Sequence, residues 1–198
     1  MPRDLRVCFL GDSFVAGVGD PEHLGWAGRI VARTHRQGRP LTAYNLGVRR
    51  QTSGDVLARW AEEVRPRLPA GSEGRLVVSF GVNDTTEEDG APRVPPAAAA
   101  VNLATLLDGA ARAGWPVLFV GPPAVRDPAQ NERTAALDVA LGEVCARAGV
   151  PHVPVLDALL ADRTWCGEVA VGDGAHPGAG GYATLAALVQ PHWDDWIR

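Results

Sequence analysis

The chain has 198 residues, of which 46% are hydrophobic and 21% are charged, a composition typical of a globular domain rather than of a disordered or fibrous protein. Its 19 basic residues are all Arg, and its 23 acidic residues leave a net charge of −4. This balance excludes an overall electrostatic attraction to nucleic acids or anionic membrane surfaces, and it favours a small-molecule ligand.

Strand-length apolar runs alternate with helix-length segments along the whole chain. The predicted strands are residues 5–10, 41–46, 75–80, 116–121 and 152–155. The predicted helices are residues 26–36, 53–65, 97–113, 132–148 and 179–196. Ser53 is the expected N-cap of the second helix. Several of the strands are apolar at successive positions, which is typical of strands buried on both faces of a parallel sheet.

The alternation predicts an α/β fold, with one parallel sheet between two layers of helices, and residues 1–198 as a single domain. Right-handed crossovers leave few arrangements for five such units, and the flavodoxin-like order 2-1-3-4-5 is the commonest that puts the first strand inside the sheet. Ligands of such sheets bind beyond the carboxyl ends of the strands, beside the first strand. Ser13, Gly47 and Asn83 follow the first three predicted strands, so we expect them to meet at that edge.

Three connections are longer than a simple turn requires: residues 84–96, 122–131 and 157–177. Their Gly, Pro and acidic residues predict irregular loops, and long loops at this edge of a sheet usually shape a pocket or lid. The acidic cluster Glu87-Glu88-Asp89 is interpreted as a solvated loop tip.

Ser13 ends the first apolar run, in a tight Gly-Asp-Ser turn. A serine hydroxyl is a poor nucleophile at neutral pH, so acyl transfer needs a base that removes its proton. His176 is the candidate base, because an imidazole can accept that proton and return it to a leaving group. Asp173 lies three residues earlier, which suits a loop in which its carboxylate accepts the other ring N–H and fixes the tautomer.

The tetrahedral intermediate of acyl transfer carries a negative oxygen that needs preorganised hydrogen-bond donors. The backbone N–H groups of Ser13 and Gly47 and the side-chain amide of Asn83 are the candidate donors. A side chain at Gly47 is expected to crowd the substrate, and Gly81 is expected to let the chain turn so that the Asn83 amide faces Ser13.

Four short motifs follow one another along nearly the whole chain: Gly11-Asp12-Ser13-Phe14, Asn45-Leu46-Gly47, Gly81-Val82-Asn83-Asp84 and Asp173-Gly174-Ala175-His176-Pro177. In this order the chain resembles the GDSL, or SGNH, hydrolase family. The resemblance implies a flavodoxin-like three-layer fold and hydrolysis of esters or thioesters without a metal or organic cofactor. It also implies that Ser13 is the nucleophile, that His176 and Asp173 form the base pair, and that Gly47 and Asn83 are oxyanion donors.

Other residues near the predicted site have two readings. Asp12 and Asp84 are interpreted mainly as structural, bonding to loop amides. Arg49 and Arg50 would either recognise an anionic substrate, such as the phosphates of an acyl-CoA, or form salt bridges with acidic neighbours. A further set would either line an acyl pocket or serve only in packing: Phe14, Val48, Trp165 and Val171.

The first functional hypothesis is a serine esterase or lipase-like hydrolase that cleaves small acyl esters through an acyl-enzyme on Ser13. The alternative with the same catalytic residues is an acyl-CoA thioesterase or an acyltransferase. Arg126, predicted near the same edge as Arg49 and Arg50, also favours this alternative. A third hypothesis, from a different class, is a non-catalytic small-molecule binder on the same scaffold. The sequence does not predict the acyl-chain length, the leaving group or the oligomeric state.

The expected location is the cytoplasm, provided that the first residue is the native start. The apolar run after the N-terminus is too short for a signal-peptide core, and no apolar stretch approaches the roughly 20 residues of a membrane span. Cys8, Cys145 and Cys166 are far apart, with the spacing of neither a metal site nor a disulfide framework, and the first two are expected to be buried.

Overall fold

The computed structural model describes residues 3–198. Its strands are β1 (Leu5–Gly11), β2 (Thr42–Gly47), β3 (Glu73–Ser79), β4 (Glu87–Glu88), β5 (Ala91–Pro92), β6 (Val117–Val120) and β7 (His152–Val153). Its helices are α1 (Ser13–Ala16), α2 (Gly25–Arg36), α3 (Ser53–Val64), α4 (Val82–Thr85), α5 (Pro96–Ala113), α6 (Pro128–Ala148), α7 (Leu156–Ala161), α8 (Arg163–Val171) and α9 (Ala179–Trp196). Within that span, no helix combines the length and the hydropathy needed to cross a membrane.

Five strands form one parallel sheet in the spatial order β2-β1-β3-β6-β7. When only these five strands are counted, the order is 2-1-3-4-5, so the predicted flavodoxin-like fold is confirmed. The strands β4 and β5 form a separate antiparallel hairpin. Because β1 lies inside the sheet, its carboxyl end is flanked by the ends of β2 and β3, as the topology predicts.

Side chains of β1 alternate between two apolar cores, one on each face of the sheet. Phe9 belongs to the core that also contains Trp26 of α2 and Trp193 of α9, and its ring stacks on Trp193 with centroids 5.6 Å apart. Leu10 belongs to the other core, which includes Trp60 of α3 and residues of α5 and α6. The sheet is therefore the middle of three layers.

The N-terminus of α3 differs from the prediction. Thr52, not Ser53, is the N-cap, and it forms a capping box with Asp55. Ser53 is the first helical residue, and its N–H and hydroxyl both donate to the carboxylate of Asp84. The reciprocal bonds between Thr52 and Asp55 satisfy two N–H groups at the helix start. These bonds favour Thr52 over Ser53 as the N-cap.

The long connections contain more regular structure than the sequence predicted. Residues 157–177 are mostly helical rather than irregular, because α7 and α8 occupy most of them. The carboxylate of Asp162 accepts a hydrogen bond from the Trp165 N–H (2.7 Å) and so caps α8. Trp165 and Val169, four residues apart, are buried, which gives this helix an apolar contact with the core.

Two further boundaries shift for local reasons. The helix α6 begins at Pro128, four residues before its predicted start, because Asp127 caps it and Pro suits the first helical turn. Residues 84–96 contain the β4–β5 hairpin, which turns at Gly90 (φ 80°).

Cys8 and Cys145 are buried, as expected, and Cys166 is exposed.

Candidate active site

Ser13 is the first residue of α1, directly beyond the carboxyl end of β1. The Asp12 carboxylate accepts a hydrogen bond from the Phe14 N–H (2.9 Å) and so caps this short helix. The helix ends at Gly17, which has a left-handed conformation (φ 76°). As the first N–H of a helix, the Ser13 N–H has no intrahelical acceptor.

A chain of hydrogen bonds joins Ser13, His176 and Asp173. The Ser13 Oγ lies 2.8 Å from His176 Nε2, and His176 Nδ1 lies 2.7 Å from Asp173 Oδ2. The other carboxylate oxygen of Asp173 accepts the backbone N–H groups of Ala175 (3.0 Å) and His176 (2.9 Å). The loop therefore curls around the carboxylate, and the positive φ of Gly174 (84°) permits this turn.

The charge of Asp173 is stabilised by the groups around it. Burial acts to raise its pKa, but the hydrogen bonds from the His176 N–H, the His176 ring and the Ala175 N–H lower it to about 2. The Asp173 side chain is 51% exposed, whereas that of His176 is 10% exposed. Asp173 is therefore an ionised hydrogen-bond acceptor for the imidazole throughout the neutral pH range.

The His176 ring is held by the elements packed around it. The Phe14 ring lies 4.9 Å from the imidazole, centroid to centroid. A Cβ at Gly19 would lie 2.7 Å from the Pro177 carbonyl oxygen and 3.1 Å from the His176 Cβ, so only glycine permits this approach. The Tyr182 hydroxyl donates to the Val18 carbonyl (2.7 Å) and fixes the same loop against α9.

The Asn83 side chain lies beside the residue that precedes Ser13. Its Nδ2 donates to the Gln51 carbonyl (3.0 Å) and contacts Asp12 Oδ2 (3.3 Å). Asn83 lies in α4, one turn of helix that begins after Gly81 (φ 132°) at the end of β3. This amide therefore connects the segment after β1 with the loop at Gln51, and its place as an oxyanion donor facing Ser13 stays a prediction.

Gly47 lies directly against the backbone of α1. A Cβ on Gly47 would collide with the backbone N of Ala16 and lie 2.8 Å from the Asp12 carbonyl oxygen, so only glycine permits this approach of α1. The Gly47 N–H donates to Asn45 Oδ1 (3.0 Å), and Asn45 Nδ2 donates to the Val15 carbonyl (2.7 Å).

Asn45 and Gln51 were not predicted as site residues, although both contact predicted ones. The signal for Asn45 was its place two residues before Gly47 in a short motif. Gln51 acts through its backbone carbonyl, which no side-chain pattern could reveal.

Asp84 is occupied by structural contacts. It is buried and accepts hydrogen bonds from the N–H and hydroxyl of Ser53, whose Oγ also accepts from Asn102 (2.9 Å). Burial raises the pKa of Asp84, while the bonds from Ser53 lower it. This network ties the start of α3 to α4, which carries Asn83.

Asp12 gives the site a specific dependence of stability on pH. The residue is 2% exposed. Burial, with a smaller contribution from the neighbouring Asp84 carboxylate, raises its pKa from 3.8 to about 7, although the hydrogen bond from the Phe14 N–H acts to lower it. The folded protein therefore holds this proton more tightly than the unfolded chain does. Consequently, the free energy of unfolding should fall as the pH rises from about 4 to about 7.

Urea unfolding of the parent and of Asp12→Asn at several pH values tests this dependence. The parent should lose a few kcal/mol relative to the variant across that interval, since each pKa unit corresponds to about 1.4 kcal/mol. Parallel pH profiles for the two proteins would contradict the assignment.

The predicted pocket residues fall into two groups. Phe14 and Trp165 are buried and stack with centroids 6.3 Å apart, and Trp165 Nε1 donates to the Ala124 carbonyl (3.0 Å). Both therefore serve in packing. Val171 is 90% exposed and Val48 is also exposed, so these two are open to solvent near the site.

A cleft of about 1000 Å³ lies beside His176, between α8 and the loop after α1. Val171 and Arg163 of α8 line it, together with Asp173 and Pro21. Glu168, also in its wall, accepts the N–H groups of Gly180 (3.2 Å) and Gly181 (2.7 Å). The sequence did not predict Arg163 or Glu168 at this cleft, because both lie in the segment interpreted as an irregular loop.

The arginines beyond β2 are at the surface. Arg49 is exposed, and Arg50 lies 3.8 Å from Glu88 with 81% of its side chain exposed. Arg126 donates its backbone N–H to the Gly174 carbonyl (2.8 Å), and its guanidinium covers Gly174. In residues 3–198, no group of three His, Cys, Asp or Glu side chains has the arrangement of a metal site.

Comparisons with known proteins agree with this architecture. The structure is similar to that of the lipase/acylhydrolase from Enterococcus faecalis. The alignment covers 96% of each chain, with 23% sequence identity and a TM-score of 0.78. The chain also matches TesA (24% identity, 96% and 99% covered, TM-score 0.80) and the acetylxylan esterase Axe2 from Geobacillus stearothermophilus (17% identity, 96% and 94% covered, TM-score 0.77). These likenesses establish the fold.

No curated protein sequence matches the chain with significance. The model of the GDSL-like lipase/acylhydrolase family matches residues 9–184, a range that contains Ser13, Gly47, Asn83, Asp173 and His176. Because this match spans most of the sequence, the chain belongs to the GDSL-like lipase/acylhydrolase family.

Proposed function

We propose that residues 1–198 form one hydrolase domain that cleaves small acyl esters through an acyl-enzyme on Ser13. The observation that carries the proposal is the hydrogen-bond chain from Ser13 Oγ through His176 to Asp173. Nucleophile, base and orienting carboxylate stand in the order that acyl transfer requires. Membership of the acylhydrolase family supports the same reaction class.

In acylation, Ser13 Oγ attacks the acyl carbon while its proton passes to His176 Nε2. This step needs the tautomer with its proton on Nδ1, and the bond from Nδ1 to Asp173 (2.7 Å) favours that tautomer. The ionised Asp173 carboxylate then stabilises the imidazolium. When the tetrahedral intermediate collapses, Nε2 returns the proton to the leaving alcohol, and Ser13 keeps the acyl group.

Water completes the cycle by the same route. His176 accepts a proton from the attacking water, a second tetrahedral intermediate forms, and its collapse breaks the bond to Ser13 Oγ. The serine oxygen recovers the proton from Nε2, and the carboxylic acid leaves. An acyltransferase would differ only in the acceptor that replaces water.

The negative oxygen of each intermediate is proposed to accept from the N–H groups of Ser13 and Gly47 and from Asn83 Nδ2. Gly47 and Asn83 now donate to protein acceptors, and the longest of these bonds is the 3.3 Å contact from Asn83 to Asp12. An oxyanion would accept a stronger hydrogen bond from Asn83 Nδ2 than Asp12 does at 3.3 Å, because hydrogen bonds to a full negative charge are shorter and stronger.

Small esters are proposed as the substrates in preference to acyl-CoA thioesters. Arg50 already has Glu88 as an acidic neighbour, and the side chains of Arg50 and Glu88 are largely solvated. Arg50 therefore does not form a preorganised phosphate site. The name of the Geobacillus relative, acetylxylan esterase, is consistent with a short acyl group.

A panel of matched substrates tests this preference. We expect hydrolysis of acetyl and butyryl esters, and similar kcat/KM values for an acetyl-CoA thioester and an uncharged acetyl thioester. Replacing both Arg49 and Arg50 by Ala should leave the ratio of the two thioester rates unchanged, as should the control Arg147→Ala on the exposed part of α6. A CoA preference above about tenfold, worth about 1.4 kcal/mol, that disappears in the double variant would instead identify phosphate recognition.

A further inference from the structure

Arg59 lies within α3, and its guanidinium reaches the carboxyl edge of the sheet. Its Nη2 donates to the Gly11 carbonyl (3.0 Å) and to the Leu46 carbonyl (2.9 Å). Its Nε donates to Gln51 Oε1 (2.5 Å), and its Nη1 pairs with Glu63 Oε2 (2.8 Å). The side chain is only 15% exposed, so these bonds form largely out of water.

The first three acceptors belong to the segments that carry the proposed oxyanion donors. Gly11 lies two residues before Ser13, and Leu46 directly precedes Gly47. Gln51 supplies the carbonyl that accepts from Asn83 Nδ2 (3.0 Å). A single guanidinium therefore connects the end of β1, the end of β2 and the loop against which Asn83 is held.

The geometry points to Arg59 as a positioning residue for the oxyanion site. This inference rests on the proposed function, because it concerns the alignment of the Ser13, Gly47 and Asn83 donors. A guanidinium suits the task since its donors are fixed in one plane and can bond several acceptors at set angles. Oxyanion stabilisation depends on donors that are aligned before the reaction begins, so a small displacement of these segments lowers the rate of the chemical step.

Steady-state kinetics of Arg59→Gln and Arg59→Lys test the inference. Each variant is titrated with a fluorophosphonate, so that kcat is expressed per reactive serine and unfolded protein is not counted. We expect Arg59→Gln to lower kcat by about 10- to 100-fold with KM within about twofold. Arg59→Lys should recover part of the loss, because one ammonium can still reach the two carbonyls but not Gln51 as well.

A matched control lies just beyond the same helix. Arg67 donates to the Glu63 carbonyl and covers the Tyr44 ring earlier in β2, so its contacts differ from those of Arg59 with Gly11, Leu46 and Gln51. Arg67→Gln should leave kcat per titrated site unchanged. An equal loss of kcat in Arg67→Gln and Arg59→Gln would overturn the inference, as would a parent-like kcat in Arg59→Gln.

A double-mutant cycle with Asn83→Ala separates positioning from general support of the fold. If Arg59 acts through the oxyanion site, Arg59→Gln should cost less in the Asn83→Ala background than in the parent, because the effects of coupled residues do not add. Fully additive losses would contradict the inference.

Amide hydrogen exchange gives a readout that does not depend on hydrolysis. In Arg59→Gln, exchange should accelerate at residues 11–13 and 46–51 and stay at parent rates in α5 and α9. Parent-like exchange at residues 11–13 and 46–51 would refute the positioning role even if the parent hydrolysed no ester. Conversely, a parent that shows no Ser13-dependent hydrolysis, together with the predicted exchange pattern, would refute the proposed function alone.

Discussion

Replacing Ser13 by Ala should lower kcat/KM for acetyl and butyryl esters by about 10⁴- to 10⁶-fold. The variant keeps the fold, since a hydroxyl is removed from a position where alanine suits the helix α1. It removes the atom that bonds to the acyl carbon, which leaves His176 with no nucleophile to activate beyond water. Hydrolysis of a chromogenic ester, with protein concentration and melting temperature matched to the parent, measures the effect.

The matched control for this change is Ser72→Ala. Ser72 is half-buried, and its hydroxyl donates to the Pro69 carbonyl in a turn outside the four motifs, so its loss should leave ester hydrolysis at the parent rate. Residual activity in Ser13→Ala within tenfold of the parent would show that another group performs the attack. The acyl-enzyme on Ser13 would then be wrong.

Asn83→Ala is expected to lower kcat by about 10²- to 10³-fold while KM changes little. The amide is proposed to bond the oxygen only when that oxygen becomes negative, so its removal affects the transition state more than the bound substrate. Steady-state rates on the same esters measure the change. Asn83→Asp should be at least as impaired, because it presents an acceptor and a negative charge where a donor is required.

Asn102→Ala provides the comparison for Asn83. Its amide donates to Ser53 Oγ (2.9 Å), and Ser53 in turn bonds to Asp84 of α4. The loss of this amide therefore perturbs the same region without removing a proposed donor. We expect a smaller effect on kcat than in Asn83→Ala. Equal losses in both variants would mean that Asn83 acts by supporting α4 rather than by binding the oxyanion.

The sheet could be predicted from the sequence because its central strands are apolar at successive positions. Val7, Phe9 and Leu10 are buried against one or other helical layer, and that double burial determines the pattern. The helices α7 and α8 were missed because they are short and lie among Gly, Pro and acidic residues. The helix α8 is stabilised by its Asp162 cap and by burial of Trp165 against the core, and neither gives a long periodic pattern in the sequence.

The site was predictable to the extent that it depends on side chains in short motifs. The spacing of Asp173 and His176 fits one turn of a loop, so their contact could be expected from the sequence. The contacts of Arg59 with the Gly11 and Leu46 carbonyls could not, since a backbone acceptor leaves no mark on residue type. The tight approach of the Ala16 backbone to Gly47 could not be predicted either, because it depends on how α1 packs against the end of β2.

The most direct test of the account is the structure of the protein after reaction with a small alkyl fluorophosphonate, a stable mimic of the tetrahedral intermediate. We predict a phosphorus bound to Ser13 Oγ. We also predict one phosphoryl oxygen within about 2.7–3.1 Å of the Ser13 N–H, the Gly47 N–H and the Asn83 amide. An adduct on another residue, or a phosphoryl oxygen directed away from Gly47 and Asn83, would contradict these predictions.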